Sequence, residues 1–414
     1  MTDLHISAAH ARRFLVSRHL LAPPRSLPAE PASVLAAVER LGSLQFDPLE
    51  VPGARNHDLV LHARVAGYQR QWCEDWLYGP DRRLIELYNK SLNMVPMHEL
   101  PHYRVTWHRN LADIDNGILT DQAPVAKAIL KRLRTDGPLS TAAFSEHGHA
   151  VDWWWAPTRA SRAVMEALFV TGRIGIARRE GNRRYYDLLE RLLPADVLAQ
   201  SVPLTEQLRH KLLSRYRAHG LLGVGGADTF GGLGPAQPDP RWPEAPGRTA
   251  LREELVEDGE LIPVEIEGVR GKRFVLADEV GLLEAAPEPP PSVAFLPPFD
   301  PVVWDRPLLG SLFEFDYVWE LFVSPDKRRW GWYVLPILFR DRLVGRIEPR
   351  IDRDGGQAQM LDLWWEAGFA PTRAEGFVDA MRDALRAYLR FAGATRLEWP
   401  PHLAAEKRLF LARP

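Results

Sequence analysis

Apolar residues in the first eighty positions recur at the spacing of amphipathic helices. This pattern predicts helices over 9–20 and 32–41, with a proline-rich break between them. Two more helices are predicted around 55–66 and 68–78, and the short apolar tract 44–48 is predicted to be extended. The N-terminal part of the chain is therefore expected to be largely helical.

Residues 122–192 have the clearest local pattern, in which three predicted helices precede two basic strands. The helices are predicted over 122–135, 141–146 and 157–171, and the third follows three tryptophans at 153–155. The strands, 173–179 and 183–187, flank a Glu-Gly-Asn turn that is typical of hairpins. This order is that of a winged helix-turn-helix, whose third helix enters a DNA groove while the hairpin flanks the backbone. The candidate DNA contacts are Arg159 and Arg162 on the helix, and Arg178, Arg179, Arg183 and Arg184 on the hairpin.

The remainder of the chain predicts a second such unit and then a sheet. Helices over 206–219 and 249–258 and a hairpin over 262–275 form a looser copy of the same order. A proline-rich linker at 287–291 precedes four short strands, over 293–299, 330–339, 342–351 and 358–365, with an Asp/Gly turn at 352–356 and a closing helix over 374–391. We predict an α+β fold with tandem winged helix-turn-helix units around a C-terminal antiparallel β-barrel. The predicted domains are 1–120, 121–200, 201–286 and 292–414.

Composition and charge narrow the class of protein. The 414 residues are 46% hydrophobic and 26% charged, an ordinary globular balance. The single cysteine, Cys73, excludes an intrachain disulfide and a cysteine-based zinc site. No stretch approaches ~18 uninterrupted apolar residues, so we expect a cytoplasmic, nucleoid-associated protein with no membrane partner. The net charge is −2, but residues 101–220 carry 18 Lys and Arg against 12 Asp and Glu, a local excess that suits DNA.

Three other patterns are weaker indications of chemistry. The glycine-rich stretch 220–234 lacks the Gly-Lys-Ser/Thr ending of a phosphate loop and is interpreted as a mobile connector. His147 and His149 have no third ligand nearby in sequence, so no metal site is predicted. The tryptophans at 153–155 stack on bases or, as we favour, pack against the core. No metal or organic cofactor is expected.

The Gln45-Phe46-Asp47 tract offers an amide and a carboxylate. In an extended segment Phe46 points into the core, whereas Gln45 and Asp47 project together to the other side. One carboxylate suits hydrolysis whose leaving group needs no acid, and an N7-alkylated purine, already cationic, is such a group. Asp47 would stabilise the oxocarbenium-like sugar and activate water, and Gln45 would hold that water. Surface Gln-x-Asp is common, so the spacing alone does not assign this role.

Residues 41–67, LGSLQFDPLEVPGARNHDLVLHARVAG, resemble the signature of the AlkZ/YcaQ group of winged-helix DNA glycosylases. In that group a glutamine–hydrophobic–aspartate or –glutamine tract precedes an arginine-containing helix that ends in an arginine. The matching positions here are Gln45, Phe46, Asp47, Arg55 and Arg64, and the two arginines are further candidate DNA contacts. The aspartate is similar to the YcaQ-type branch. FLPPFDPVVWDR at 295–306 and YVLPILFRDRLVG at 333–345 also resemble the C-terminal barrel of the family, so the likeness covers nearly the whole chain.

The chain departs from this family pattern between Glu86 and Pro96. The family commonly has an aromatic–Ala–His–Glu tract there, and Lys90 and Ser91 occupy its His and Glu positions. Three roles remain open for Lys90: a phosphate contact, a lyase nucleophile that attacks the sugar, or a solvated surface lysine.

The resemblance implies a monofunctional DNA glycosylase that hydrolyses the N-glycosidic bond of N7-alkylated purines and unhooks interstrand crosslinks. We expect its partner to be damaged or crosslinked double-stranded DNA, bound by a monomer. The alternative is a non-catalytic winged-helix DNA-binding protein or transcriptional regulator. That alternative explains residues 122–192 equally well but gives no role to Gln45 and Asp47.

Overall fold

The computed structural model describes residues 4–114, 117–154, 156–352 and 356–411, apart from the side chains of 227 and 228. Trp155 of the tryptophan tract and residues 353–355 of the predicted turn lie outside this set. The chain divides into two compact units. Unit 1 contains residues 1–73, 214–230 and 249–414, and unit 2 contains 74–213 and 231–248. The four continuous domains stay a prediction, because compactness alone does not identify segments that fold independently.

The described residues contain the following α-helices, numbered in chain order: α1 (Ala8–Arg18), α2 (Ala32–Leu41), α3 (Asn56–His62), α4 (Arg70–Tyr78), α5 (Leu100–Ile114), α6 (Ile118–Asp121), α7 (Ala123–Asp136), α8 (Ala160–Val170), α9 (Leu189–Leu192), α10 (Ala195–Ala199), α11 (Leu204–His219), α12 (Ala227–Phe230), α13 (Arg248–Glu257), α14 (Val280–Ala285), α15 (Pro301–Trp304), α16 (Arg306–Phe313), α17 (Phe377–Ala392) and α18 (Ala404–Phe410). Short 3₁₀ helices occur at Met97–Glu99, Thr141–His147, Ala277–Glu279, Pro325–Lys327 and Pro401–Leu403. In the part of the chain that is described, no helix is both long and apolar enough to span a bilayer.

The strands in the same residues are β1 (Leu4–Ile6), β2 (Leu44–Gln45), β3 (Leu84–Tyr88), β4 (Leu92–Pro96), β5 (Ala150–Val151), β6 (Thr158–Arg159), β7 (Ile174–Glu180), β8 (Arg183–Leu188), β9 (Leu261–Ile266), β10 (Arg273–Leu276), β11 (Val293–Phe295), β12 (Leu335–Phe339), β13 (Arg342–Asp352), β14 (Gln357–Trp365) and β15 (Arg396–Glu398). The fold is therefore a mixed α+β fold.

Unit 1 contains a five-stranded sheet of order β11-β12-β13-β14-β15. The first four strands pair antiparallel, whereas β15 runs parallel to β14. Within the described residues β11 and β15 are free edges, so the sheet forms an open half-barrel and the predicted antiparallel β-barrel is not closed. The physical reason is α17, whose apolar side chains pack on the sheet in one core and so bury the face that closure would otherwise have to cover.

The helix α17 shows how the sequence produces this packing. Phe377, Met381, Leu385 and Tyr388 recur at helical spacing and are all buried. Gly393 follows the helix in the left-handed conformation, φ 70°, and ends it. A second core in unit 1 joins α1 to residues of β9, β10, α15 and α16.

Unit 2 has the element order predicted for residues 122–192. The helix α7, the 3₁₀ helix 141–147, the helix α8 and the antiparallel hairpin β7–β8 follow one another. α8 begins three residues later than predicted, because 158–159 pair with 150–151 as strands. Assignment of this order, and of the looser copy, to winged helix-turn-helix units stays a prediction. The β3–β4 hairpin, which carries Lys90 in its turn, was not predicted.

Candidate active site

The Gln45–Asp47 segment leaves β2 and enters an irregular stretch of unit 1. Phe46 is buried, with its ring stacked on that of His57 at a centroid distance of 4.9 Å. Gln45 and Asp47 are half-buried. One apolar side chain thus anchors the segment, and the two polar side chains on either side of it remain accessible to solvent.

Asn56, the first residue of α3, fixes the backbone of this segment. Its amide Nδ2 donates to the carbonyl oxygen of Gln45 over 3.3 Å, and its Oδ1 accepts from the backbone N–H of Phe299 over 3.1 Å. Asn56 is fully buried, so neither bond competes with bulk water. The amide therefore ties the 41–67 motif to the 295–306 motif and positions Gln45 through its backbone.

The Gln45 side chain is available for a ligand. Within the described part of the chain its side-chain amide makes no hydrogen bond. The bond from Asn56 goes to the backbone carbonyl of Gln45. An amide with one donor group and one acceptor oxygen can orient a water molecule. The water-holding role of Gln45 stays a prediction.

Asp47 has the properties of a carboxylate that accepts protons. Its Oδ1 accepts a hydrogen bond from the backbone N–H of Leu49 over 3.0 Å, and among the described residues Oδ2 accepts none. Burial raises the pKa of Asp47, and the Leu49 bond opposes that rise without cancelling it. A carboxylate with a raised pKa is a better general base than an exposed one, and its second oxygen is open for water.

Tyr333 is a further group close to Asp47 that the sequence did not predict for the site. Burial raises the pKa of the Tyr333 phenol well above its usual value, and the charge of Asp47 raises it further. The phenol is fully buried and, in the described residues, its Oη has no hydrogen-bond partner. The signal was present, because Tyr333 is the first residue of the 333–345 motif, but nothing in the sequence brings it to residue 47.

Arg55 belongs to a buried hydrogen-bond network around Asp58. Arg55 Nε donates to Asp58 Oδ2 over 3.1 Å, and the Tyr68 hydroxyl donates to Oδ1 over 2.9 Å. Burial would raise the pKa of Asp58, but His57, Arg55 and Arg70 together lower it. Because Arg55 is 5% exposed and paired, its guanidinium supports the fold beneath Phe46 rather than facing DNA.

Arg64 was also predicted as a DNA contact, but its side chain is buried and stabilises the fold. The side chain has no exposed surface, and its fork binds both oxygens of Asp300 at 2.8 and 3.0 Å. Its other donors reach the carbonyl oxygens of His19 and Val60. A buried guanidinium whose donors are taken by Asp300 and backbone carbonyls cannot reach a phosphate without opening the core, so Arg64 joins two motifs of unit 1 instead.

In unit 2 the predicted DNA contacts fall into exposed and buried groups. Arg159, Arg162, Arg178 and Arg183 are exposed. Arg178 lies over the Tyr185 ring, 3.6 Å from its centroid, and pairs with Glu180, while Arg162 lies 3.6 Å from Glu166. These residues present positive charge along the start of α8 and the tip of the hairpin.

Arg179 belongs to the buried group, which corrects its prediction as a DNA contact. Its side chain is 3% exposed and binds Glu86 through Nε at 2.9 Å and Nη2 at 2.5 Å. Burial would raise the pKa of Glu86, but Arg179 lowers it below the ordinary range. Arg184 is half-buried, with Nη1 3.4 Å from the Tyr186 hydroxyl.

Lys90 lies in the turn between β3 and β4 and is half-buried, with interactions inside the protein. The backbone of its neighbour Asn89 lies directly against Gly232. A Cβ at residue 232 would lie 1.8 Å from the Asn89 carbonyl oxygen, and φ there is +77°. The glycine-rich stretch therefore approaches the β3–β4 turn so closely at this point that a residue with a side chain would not fit.

The histidines and tryptophans of the weaker sequence patterns lie in unit 2. In the described ranges no group of three His, Cys, Asp or Glu residues is arranged to hold a metal ion. His149 is hydrogen-bonded to Gln122 over 3.0 Å. Trp153 and Trp154 stack at 4.6 Å, with Trp153 donating to Glu166 and Trp154 53% exposed. One tryptophan is thus half-buried and hydrogen-bonded, and its neighbour is exposed to solvent.

The family model of AlkZ-like DNA glycosylases matches residues 38–391, and the chain belongs to that family. The solved structure of Streptomyces sahachiroi DNA glycosylase AlkZ is similar, with a TM-score of 0.63. It is 18% identical over 96% of this chain and 100% of that chain, a likeness that concerns the fold.

Proposed function

We propose that this protein is a monofunctional DNA glycosylase of the YcaQ type, which excises N7-alkylated purines from double-stranded DNA as a monomer and unhooks interstrand crosslinks. The observation that carries the proposal is Asp47, whose pKa is raised and whose second carboxylate oxygen accepts no hydrogen bond from any described residue. Membership of the AlkZ-like family supports the class of reaction.

The reaction needs little acid from the protein. The bond between C1′ and the purine breaks, and its electron pair neutralises the positive charge of the alkylated base. Asp47 stabilises the cationic sugar that forms. Water held by Gln45 forms the new bond to C1′ and gives its proton to Asp47. The products are a free alkylpurine and an abasic site.

DNA binding in this proposal uses exposed arginines. Arg159, Arg162, Arg178 and Arg183 contact phosphates, which serves a search for damage because phosphate contacts carry no sequence information. The half-buried Arg184 is kept as a weaker candidate, and Lys90 in the β3–β4 turn as a candidate phosphate contact.

The experiment measures release of free base from a duplex that contains N7-methylguanine. We expect wild-type protein to release the base and Asp47→Asn to do so about 10²–10⁴-fold more slowly, the range for loss of an acid–base group. Duplex affinity should be unchanged. Asp326→Asn, which neutralises an exposed carboxylate of unit 1, is the matched control and should retain full activity.

Two results would contradict this proposal. Equal rates for wild type and Asp47→Asn would remove Asp47 from the mechanism. Tight duplex binding by wild type with no base release would favour the non-catalytic DNA-binding alternative, which the exposed arginines of unit 2 also serve.

A further inference from the structure

Unit 1 contains a cavity of about 710 Å³ between the start of α4 and the outer side of α17. Gln45 and Asp47 are not among the residues that line it. Four arginines line it, Arg25, Arg70, Arg386 and Arg390, together with one carboxylate, Asp383. We call it the arginine pocket. Its volume is in the range of sites for small organic ligands.

The positive charges of the arginine pocket are poorly compensated. Asp383 accepts a hydrogen bond of 2.5 Å from Arg386, and Arg70 lies 3.8 Å from Glu50. Arg390 is exposed and forms no ion pair with any residue that the structure describes. Burial lowers the pKa of Arg25, and Arg390 lowers it further against the opposing effect of Asp383. Positively charged groups that line one cavity repel one another, and a bound anion would offset the free energy of that repulsion.

The wall of the pocket is aromatic and uncharged. The rings of His62 and Phe391 stack in parallel, with centroids 4.3 Å apart and planes at 9°. Burial, with contributions from Arg25 and Arg390, lowers the pKa of His62 to about 3, so the imidazole is neutral at physiological pH. Arg70 lies 5.6 Å from the Phe391 centroid. The imidazole therefore gives a flat surface and adds no further cation.

We propose that the arginine pocket binds the phosphate group of a nucleotide, with the arginines on the phosphate oxygens and the aromatic wall beside the base or sugar. Guanidinium forks match phosphate oxygens in geometry, and several of them around one cavity favour a multiply charged anion. Aromatic rings beside such a site suit a nucleotide better than inorganic phosphate. The site is additional to the glycosylase chemistry and does not require it.

The test is calorimetric titration of the full chain with dGMP, deoxyguanosine and inorganic phosphate. We expect dGMP to bind more tightly than phosphate, and deoxyguanosine, which lacks the charge, not to bind measurably. Arg390→Gln should weaken dGMP binding by about tenfold or more, the effect of removing one charge-assisted hydrogen bond. Arg396→Gln removes an exposed arginine on β15 of the same unit and should change nothing. The NMR signals of the His62 ring should shift on addition of dGMP in wild type and less in Arg390→Gln.

A second set of titrations identifies the source of the phosphate. A single strand with a 5′-phosphate is compared with the same strand with a 5′-hydroxyl. A preference for the phosphorylated strand that Arg390→Gln removes identifies a strand terminus, and binding of dGMP without that preference identifies a free nucleotide. Either result supports the proposal. Absence of dGMP and phosphorylated-strand binding, or equal weakening by Arg390→Gln and Arg396→Gln, overturns it. Thermal unfolding of both variants shows that they fold, and base release by either variant is measured separately.

Discussion

Asp47 combines burial with a charge, and this has a measurable effect on stability. Because burial raises its folded-state pKa above the ordinary value of 3.8, the protonated form is the one that the fold favours. The contribution of Asp47 to stability is therefore fully present below that ordinary value and is lost as the pH rises through the raised folded-state pKa. The carboxylate is held in the site at some cost to the fold.

We predict that Asp47→Asn is more stable than wild type at neutral pH, because the amide has no charge to desolvate. The difference between the two free energies of unfolding should shrink as the pH is lowered and vanish where Asp47 is protonated in both states. Urea unfolding of both proteins across the acid-to-neutral range measures it. A wild type that is the more stable of the two at neutral pH would contradict the burial argument for Asp47.

A second prediction concerns Arg64. Arg64→Ala leaves the fully buried Asp300 without its partner, and breaking a buried ion pair typically costs about 3–5 kcal/mol. We expect a large loss in the free energy of unfolding, measured with denaturant. DNA affinity of the remaining folded protein should be unchanged. Arg183→Ala, the exposed control, should do the reverse: weaker DNA binding and unchanged stability.

At this scale the sequence predicted candidate catalytic residues but not their surroundings. Gln45 and Asp47 follow from a local motif. The partner of Arg64 lies 236 residues away in sequence, and Tyr333 approaches Asp47 from another motif. The sequence gives the position of each arginine but not whether the fold buries it. Burial depends on partners that are distant in sequence.

At the scale of elements, the β7–β8 hairpin combines two kinds of arginine. Residues 178 and 183 are exposed, whereas residue 179 is buried against Glu86. Alternation along a strand produces this division, since neighbouring side chains point to opposite faces. The hairpin is therefore anchored to unit 2 by one face and presents positive charge on the other.

The double variant Arg178→Ala/Arg183→Ala should bind all duplexes more weakly and flatten the salt dependence, by about 0.9 in log–log slope for each phosphate that the protein no longer binds. Its stability should be close to wild type, because exposed ion pairs contribute little. Arg179→Ala should instead lower the unfolding midpoint. Affinity measured over a salt series, with thermal unfolding alongside, separates the two. An unchanged slope in the double variant would show that the hairpin is not the DNA surface.

Element types were more predictable than their assembly. The helices α2 and α17 and the hairpin turn at 180–182 follow from local periodicity and turn chemistry, which act within a few residues. The sequence could not show whether the predicted β-barrel closes, because alternating strands have the same pattern in an open sheet and in a barrel. What decides between them is the helix that packs on the sheet, and that packing is not a local property.

At the scale of the whole molecule, a single candidate carboxylate limits the range of substrates. Among the described residues no general acid is evident beside Asp47, because the pKa of the Tyr333 phenol lies well above its usual value. Each unit of leaving-group pKa that the lesion does not supply therefore adds ~1.4 kcal/mol to the barrier. We predict excision of cationic N7-alkylguanine and N3-alkyladenine, and none of uracil or 8-oxoguanine. Single-turnover kinetics on the four duplexes measures this. Efficient uracil release would require a proton donor, with Tyr333 and Lys90 as the groups to substitute first.

The pairing of Arg64 with Asp300 also sets an order of events in the cell. At roughly 5–20 residues per second, the ribosome needs on the order of 10–50 s to add the 236 residues that separate the two. During that interval the first helices of unit 1 carry an unpaired charge and apolar faces without their partners. Residues 74–213 of unit 2 are synthesised as one continuous stretch. Most of unit 2 is therefore synthesised before residues 249–414 of unit 1. The first helices of unit 1 therefore wait for their buried partner longer than residues 74–213 wait for one another, and we expect chaperones to bind these helices during that interval.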